Sequence, residues 1–341
     1  MQVVPGTGIP FRRLLVRSLR SVDFDIHAVL DPVRLALSVP QAMALLVLRR
    51  PAAIFTTGGY VALPVLLAAS VLRIPVVMWD GNVVPGRSVR ATARLAGSLA
   101  VTFESTCVAL GRRKRPCYVT GTPIRDPRTV SRVDARKALG VEAGEKLLLI
   151  FGGSQAVRRF NTAVAEALPR LVERIQVIHV TGDAGYDEAV GGRDALSEAL
   201  RGRYRPERFL DDQMTLALAA ADLVVGRAGS STLAEAAAFG LPMVVVPYPH
   251  AAGHQRRNAE EMVRSGAARL VEDADFDAQA LLTAAAILDD GKTHDEMAAA
   301  ARSLARPGAA DAVAELLMAA AERRPLPAPA RLEAMSRGVA L

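Results

Sequence analysis

Two glycine-containing stretches stand directly after apolar runs and have the composition of anion-binding turns. Residues 152–155 read Gly-Gly-Ser-Gln after the run 147–151, and residues 226–232 read Gly-Arg-Ala-Gly-Ser-Ser-Thr after the run 223–225. Glycines let backbone amides approach a ligand, and the free N–H groups of a following helix favour a diphosphate, with Arg227 as a countercharge. Glycines also serve tight turns that bind nothing, so the first stretch alone carries little weight.

A third polar stretch, residues 244–259, runs from Val-Val-Val through Pro-Tyr-Pro-His to a helix start that contains His254 and Gln255. Such side chains can hydrogen-bond sugar hydroxyls. His250 and His254 are spaced like metal ligands, but no carboxylate or cysteine accompanies them at ligand spacing, so no metal is expected. Two anion-binding turns and a polar loop in one part of the chain predict a nucleotide-sugar site.

Glu235, shortly after the second turn, has two interpretations. Thr232 and Glu235 match a capping box, in which the carboxylate only satisfies the first amides of a helix. A carboxylate one turn into such a helix can instead accept hydrogen bonds from both hydroxyls of a ribose. Both interpretations are open at the level of the sequence.

The elements that would position these turns alternate as in a parallel sheet covered by helices. Apolar runs separated by Ala-rich helical stretches predict a doubly wound α/β fold. We predict two Rossmann-like domains over 1–125 and 143–310, a linker over 126–142, and a helix end with a loosely ordered, Pro-containing tail over 311–341. The predicted strands are 52–56, 74–79, 99–103, 118–120, 147–151, 176–181, 223–225 and 243–246.

Length and composition agree with two globular domains. The chain has 341 residues, of which 51% are hydrophobic, and this excludes disordered and fibrous proteins. Cys107 and Cys117 cannot make a disulfide framework in so long a chain, so both are expected as free thiols in a reducing compartment. Prolines and arginines interrupt any signal-peptide core near the N-terminus, so a cytoplasmic protein is expected.

Basic residues are concentrated in the first part of the chain. Residues 1–125 carry 16 Lys and Arg against 5 Asp and Glu, hence +11, which leaves −4 for residues 126–341. This asymmetry points to an anionic partner, either nucleic acid or an anionic membrane surface. Aromatic residues make up only 4% of the chain and offer few platforms for base stacking, so nucleic acid is not expected as a partner.

Two apolar stretches bear on the membrane. Residues 60–79 have about the length of a transmembrane span, but Pro64, Arg73 and Pro75 favour a buried helix over 64–72, a turn and a core strand. Residues 32–50 form an apolar helix that ends in two arginines. It could lie on a bilayer interface or pack in a core with solvated ends.

Taken together, the motifs resemble the GT-B family of transferases that add N-acetylglucosamine to undecaprenyl-diphospho-muramoyl pentapeptide. The resemblance runs from about Gly8 to Arg306, in order and at family spacing. Besides the three stretches above, it is carried by Gly58-Gly59-Tyr60, Asn82 with Pro85-Gly86, Gly-Thr-Pro-Ile-Arg over 121–125, Phe-Leu-Asp-Asp over 209–212, and Asn258-Ala259.

The resemblance implies roles for individual residues. Ser154 and Gln155 would hold the donor diphosphate or sugar, the backbone of Leu210 would face uracil, and Glu235 would bind the ribose. The remaining donor-side residues are Arg227, Gly229, Ser230, Ser231 and Thr232 at the diphosphate, and His254 and Gln255 at the hydroxyls of N-acetylglucosamine. The acceptor-side residues are Tyr60, Asp80, Asn82, Arg125 and Asn161. Residues 32–50 match the family's membrane-contacting patch, which favours a peripheral position on the cytoplasmic face of the cell membrane.

The sequence departs from the family on the acceptor side. Family members begin with a strand and a Gly-rich turn ending in His, upstream of the first residue here, and Trp-Asp-Gly-Asn over 79–82 replaces His-Glu-Gln-Asn. Thr122 replaces an Asn. Inversion at the anomeric carbon needs a base on the acceptor hydroxyl and stabilisation of departing UDP. Arg227 and helix N-termini would stabilise UDP without metal or cofactor, whereas the base would be Asp80, a residue of a partner chain, or one upstream of the given start.

The expected function is therefore inverting transfer of N-acetylglucosamine from its UDP donor to lipid I, giving lipid II in peptidoglycan synthesis. Through the cell wall this would serve cell shape and division. A first alternative is another GT-B enzyme that transfers a UDP-linked sugar to a different lipid. A second is a non-catalytic UDP-sugar-binding subunit that needs a partner chain.

Overall fold

The computed structural model describes residues 8–16, 27–111, 115–152, 158–251 and 253–339. These residues form two α/β domains, each built around one parallel sheet. The four described strands of the N-terminal sheet lie side by side in chain order and are β1 (Ile54–Thr56), β2 (Val76–Asp80), β3 (Ser98–Val101) and β4 (Cys117–Val119).

The C-terminal sheet is larger. Its six described strands are β5 (Leu147–Phe151), β6 (Gln176–Val180), β7 (Tyr204–Glu207), β8 (Leu223–Gly226), β9 (Met243–Val245) and β10 (Ala268–Leu270). Their spatial order is β10-β9-β8-β5-β6-β7, with all neighbours parallel. β5 therefore lies between β6 and β8, where the direction of winding reverses.

Helices cover both sheets. In the first part of the chain they are α1 (His27–Arg49), α2 (Leu63–Leu72), α3 (Arg87–Thr92) and α4 (Glu104–Ala109). After β4 follow α5 (Arg132–Leu139), α6 (Arg158–Val172), α7 (Tyr186–Asp194), α8 (Glu198–Arg201), α9 (Met214–Ala220), α10 (Ser230–Ala238), α11 (His254–Arg264), α12 (Ala278–Ala285), α13 (Gly291–Leu304), α14 (Ala309–Ala321) and α15 (Pro329–Ser336).

The sequence of β5 shows why this sheet is covered on both faces. All five of its apolar side chains are buried. Leu147, Leu149 and Phe151 pack into the core on one face, and Leu148 and Ile150 pack on the other. Side chains alternate along a strand, so a strand with helices on both sides reads as one continuous apolar run. The prediction of two doubly wound α/β domains is confirmed.

The eight strands predicted from the sequence are confirmed, with ends that differ by at most two residues. Two further described strands lie outside the prediction. β7 contains Arg205, Pro206 and Glu207, which no search for apolar runs would select. β10 has three residues, and its central Arg269 is exposed. Both lie at the edges of the sheet, where one side of the strand faces no neighbour.

The last two helices cover the N-terminal sheet. Ala312 and Leu316 of α14 and Leu332 of α15 share one core cluster with Val77 and Tyr118 of the sheet. The expectation of a loosely ordered tail is therefore wrong for the described residues. The prolines of the tail pointed to an irregular chain, but Pro329 stands at the first position of α15, where a helix needs no N–H group.

The two cysteines form a disulfide that links α4 to β4. The expectation of two free thiols is thus wrong. Cys107 and Cys117 are only ten residues apart, and the adjacent packing of α4 and β4 brings their Cα atoms to 5.8 Å. A single local bridge of this kind needs no framework of several disulfides.

α1 is apolar on two sides. Its Ser38 and Ala42 are buried, and α1 packs against α2, as predicted for one alternative. On the other side Leu37 is 54% and Leu48 80% exposed. Among the described residues one stretch, Asp31–Arg49, is long and apolar enough to cross a bilayer. The interpretation of 60–79 as helix, turn and strand is confirmed by α2 and β2.

Candidate functional site

The strands that precede the two predicted anion-binding turns end side by side at the reversal point of the C-terminal sheet. Phe151 at the end of β5 pairs with Gly226 at the end of β8. Ligands of doubly wound folds bind in the crevice at such a point. Residues 153–157, which include Ser154 and Gln155, lie outside the described residues.

The turn after β8 leads directly into α10. Gly229 is the N-cap residue, in an extended conformation, and no side-chain cap hydrogen bond is formed here among the residues that the structure describes. The first amides of α10, which belong to Ser230, Ser231 and Thr232, are therefore available to a ligand. This is the arrangement that favours a diphosphate at the start of a helix.

The position of Glu235 within α10 removes the capping interpretation. Because α10 begins at Ser230, Thr232 is its third residue and cannot be the N-cap of a capping box. The Glu235 side chain is half-buried. Desolvation by burial raises the pKa of the Glu235 carboxyl, and the positive charge of Arg125 partly opposes that rise.

Arg227 is buried under the turn and bonded to the protein. Its guanidinium forms an ion pair with Asp273 and donates to the carbonyl of Val246 at 3.1 Å. It also lies over the ring of Phe160, 4.8 Å from the ring centre. Asp273 accepts a second ion pair from Arg159 at 3.3 Å. Asp273 therefore lies between two arginines, Arg227 and Arg159.

The loop after β7 is held by Arg125, which follows β4 of the N-terminal domain. Leu210 is buried, and Asp211 and Asp212 follow it on the surface. Arg125 donates to the carbonyl of Asp211 at 3.2 Å and pairs with Asp212 at 3.0 Å. Arg125, which was expected on the acceptor side, thus contacts the loop that contains Leu210.

Asp80 ends β2 of the N-terminal domain and is 5% exposed. Its Oδ1 accepts from the backbone N of Asn82 at 3.1 Å and from Asn82 Nδ2 at 3.2 Å. Its Oδ2 is buried and has no hydrogen-bond partner among the described residues. Desolvation raises the pKa of Asp80, against smaller opposing effects of the Asn82 bonds and of His254. An unsatisfied buried carboxylate oxygen is suited to accept a proton.

The loop after β2 touches the C-terminal domain directly. Asn258 of α11 accepts from the backbone N of Val83 at 3.0 Å and donates to Asn82 Oδ1 at 3.2 Å. His254 Nδ1 lies 2.9 Å from the carbonyl oxygen of Val84. A side chain at Gly81 would collide with Ser230, since its Cβ would lie 2.6 Å from the Ser230 Oγ. The acceptor-side loop and the donor-side helices are thus in contact.

A cavity of about 300 Å³ adjoins this contact between the two domains. Thr102 and Thr122, which follow β3 and β4, line it and share a hydrogen bond of 2.8 Å between their hydroxyls. Ser230 and Leu233 of α10 line the opposite side. Ser230, expected at the diphosphate, therefore also faces the N-terminal domain.

Three expected residues lie apart from this contact or are occupied locally. Tyr60 follows β1 and is 43% exposed. Asn161, expected on the acceptor side, donates to the carbonyl of Thr181 at 3.1 Å within the C-terminal domain. Gln255 accepts from the backbone N of Tyr248 at 2.9 Å, which fixes its own loop.

Asn258 is missing from the expected site residues, although its motif is part of the resemblance. The available signal was its spacing, because a polar residue four positions after His254 lies on the same side of a helix. Its partners could not be found from the sequence, since Val83 is 175 residues away. Among the described residues no group of three or more His, Cys, Asp or Glu is placed to hold a metal ion.

Comparisons with known proteins agree with this arrangement. The glycosyltransferase family 28 N-terminal domain matches residues 1–101, and the family 28 C-terminal domain matches residues 147–316. The UDP-N-acetylglucosamine–N-acetylmuramyl-(pentapeptide) pyrophosphoryl-undecaprenol N-acetylglucosamine transferase of Cutibacterium acnes is 36% identical, over 94% of this chain and 86% of its own. That of Desulforudis audaxviator is 34% identical over 93% and 86%.

Solved structures show the same architecture. The crystal structure of Acinetobacter baumannii MurG matches with a TM-score of 0.71 and 25% identity, covering 93% of this chain and 87% of that one. A putative UDP-N-acetylglucosamine 2-epimerase from Listeria monocytogenes shares the fold, with a TM-score of 0.66 and 16% identity over 90% of this chain and 83% of its own. The chain therefore belongs to glycosyltransferase family 28, among the MurG N-acetylglucosaminyltransferases.

Proposed function

We propose that the protein transfers N-acetylglucosamine from UDP-N-acetylglucosamine to undecaprenyl-diphospho-N-acetylmuramoyl pentapeptide, with inversion at the anomeric carbon, to give lipid II. The observation that carries the proposal is the contact between the loop 80–84 and the starts of α10 and α11. It puts a buried carboxylate of one domain beside a diphosphate-type turn of the other. A transferase needs this juxtaposition of base and leaving group.

The C-terminal domain would bind the donor. The uncapped amides of α10 receive the diphosphate, Glu235 receives the ribose hydroxyls, and His254 with Gln255 lies at the sugar. Arg227, which lies in the turn after β8, would help to stabilise the negative charge that develops on UDP as it leaves. This role needs no metal ion.

Asp80 would act as the base. Its free Oδ2 takes the proton of the acceptor hydroxyl while that oxygen attacks the anomeric carbon and the bond to the UDP oxygen breaks. Burial supports this role because it raises the pKa of Asp80 and makes the carboxylate a stronger proton acceptor. The two bonds from Asn82 hold the other oxygen and fix the direction of Oδ2.

α1 would place the enzyme on the cytoplasmic face of the cell membrane. Its exposed Leu37 and Leu48 suit the acyl boundary of a bilayer, and Arg49 and Arg50 at its end suit anionic headgroups. A protein held there meets a lipid-linked acceptor in two dimensions.

The direct test is transfer of labelled N-acetylglucosamine from its UDP donor to a lipid I analogue by the 341-residue chain. We expect turnover to a product with the mass of lipid II. Tight UDP binding by calorimetry without turnover would support a non-catalytic subunit that needs a partner chain. Turnover only with another lipid, or with another UDP-sugar, would support a related glycosyltransferase.

A further inference from the structure

Asn258 is fully buried where the two domains meet, and all its hydrogen bonds go to backbone or to another amide side chain. Its Oδ1 accepts from the N–H of Val83, and its Nδ2 donates both to Asn82 Oδ1 and to the carbonyl of Ala228 at 3.2 Å. Val83 and Asn82 belong to the N-terminal domain, and Ala228 belongs to the turn after β8. One side chain thus binds both halves of the cleft.

These bonds continue to the proposed base. Asn82 accepts from Asn258 through its Oδ1 and donates to Asp80 through its Nδ2. The carbonyl of Asn82 accepts from Thr106 at 2.7 Å, which holds the loop from within its own domain. A shift of α11 relative to the N-terminal domain would therefore displace Asn82 and, with it, the direction of the Asp80 carboxylate.

His254 forms a second bond between the same elements. Because a carbonyl oxygen can only accept, His254 Nδ1 must carry the proton that it shares with Val84. The helix whose first turn lies at the donor sugar is thereby bonded to the loop that carries the base.

We propose that Asn258 is a positioning residue that couples closure of the two domains to the orientation of Asp80. Asn258 holds the loop 80–84 in register with the donor turn, so the base is aligned only when α11 and the N-terminal domain are in contact. It touches no reacting atom and acts through Asn82. The inference rests on the proposed transferase function.

Kinetics separate this role from donor binding. For Asn258→Ala we expect kcat to fall on the order of 10- to 100-fold, because misalignment of a catalytic group by about 1 Å has effects of that size. The affinity for UDP, measured by calorimetry, should change less than about threefold, since the donor contacts of the C-terminal domain remain. Equal losses in kcat and in UDP affinity would overturn the proposal.

Two further variants guard against a trivial loss of stability. Thr181→Val removes a buried hydroxyl that bonds only within the C-terminal domain, and it should lower the melting temperature without this kinetic pattern. Asn258→Asp keeps the acceptor for Val83 but replaces the donor to Asn82 and Ala228, so it should reproduce the defect if Asn258→Ala fails to fold.

A double-mutant cycle tests the coupling through Asn82: Asn258→Ala and Asn82→Ala should be strongly non-additive in their effects on kcat. Additive effects would contradict coupling through Asn82.

A distance measurement tests the coupling without any turnover, so it remains decisive even if the proposed acceptor is wrong. Spin labels at Val71→Cys and Lys292→Cys, one exposed site in each domain, report the domain separation, because the native cysteines are already bridged. We expect a narrow distribution with UDP bound, and a broader or longer one for Asn258→Ala. Identical distributions for both proteins would refute the closure role.

Discussion

Two carboxylates carry the proposed chemistry, and burial acts on both in the same direction. Desolvation raises the pKa of Asp80 and of Glu235 above their ordinary values. The ionised form of each is therefore disfavoured in the folded protein. Their contribution to stability is fully present below the unfolded-state pKa and is lost as the pH rises through the raised folded-state pKa. Activity that needs the ionised form should increase over the same interval.

For Asp80→Asn we expect kcat to fall by about 10²- to 10⁴-fold, the usual contribution of a general base. The melting temperature at pH 7 should stay the same or rise, because the change removes a buried charge and keeps the oxygen that accepts from Asn82. Transfer assays and thermal unfolding measure the two effects. Activity within a few-fold of the unchanged protein would show that another group is the base.

For Glu235→Gln we expect UDP to bind about tenfold more weakly, since an amide makes a weaker partner for two ribose hydroxyls than a carboxylate. The melting temperature should change little, because Glu235 does not cap α10. Calorimetric titrations with UDP and with inorganic pyrophosphate distinguish a ribose contact from a phosphate contact. A large loss of stability at unchanged UDP affinity would contradict the ribose role.

At this scale the sequence indicated residues through their position after strands. Glu235 and the turn around Arg227 were found in this way, because parallel strands deliver their following residues to one edge, whereas Asp80 was indicated by the family resemblance. Contacts between distant parts of the chain were not accessible. Arg227 pairs with Asp273, 46 residues on, and Asn258 bonds to a loop 176 residues before it. Such contacts depend on the folded structure and have no local pattern in the sequence.

At the scale of elements, α1 has an exposed apolar side that the described residues leave uncovered. We expect Leu37→Glu with Leu48→Glu to reduce binding to phosphatidylglycerol vesicles strongly, because both side chains are more than half exposed. Binding of the unchanged protein should weaken as salt shortens the Debye length from about 10 Å at 0.1 M to about 3 Å at 1 M. Co-sedimentation with vesicles measures both effects.

Val133→Glu is the matched control, because Val133 is 76% exposed on α5, away from α1. It should bind vesicles like the unchanged protein. Transfer to a soluble acceptor analogue should be equal in all three proteins. Vesicle binding that survives the α1 substitutions would assign the membrane contact to another surface.

Elements were predicted well where one physical signal dominates. The buried strands β5, β8 and β9 were visible because both faces are covered, whereas β7 and β10 lie at edges and carry charged residues. The disulfide between α4 and β4 depends on the packing of two neighbouring elements. Cysteine counting contains no information on such packing.

At the scale of the whole molecule, α14 and α15 join the end of the chain to the first domain. Leu332 is 1% exposed within that core, and Arg306 donates to Ser336 Oγ at 2.7 Å. For Leu332→Ala we expect a loss of about 2–5 kcal/mol from the free energy of unfolding. Hydrogen exchange should show faster opening of β2 to β4 and unchanged protection in β5 and β8.

Arg331→Ala provides the control on the same helix, because the Arg331 side chain is 58% exposed. It should alter stability by less than about 0.5 kcal/mol. Equal loss of protection in both sheets after Leu332→Ala would mean that the domains unfold as one unit and that α15 is not specific to the N-terminal sheet.

The packing of α14 and α15 on the N-terminal sheet determines the order in which the two domains of a newly synthesised chain can complete their folding. A ribosome releases these helices only after it has made the whole C-terminal domain, so that domain can bury its core first. Until then Val77, Ala100 and Tyr118 lack the helices that cover them. The domain that emerges first is thus the last to be finished, and in the interval its open sheet face is a natural target for chaperones.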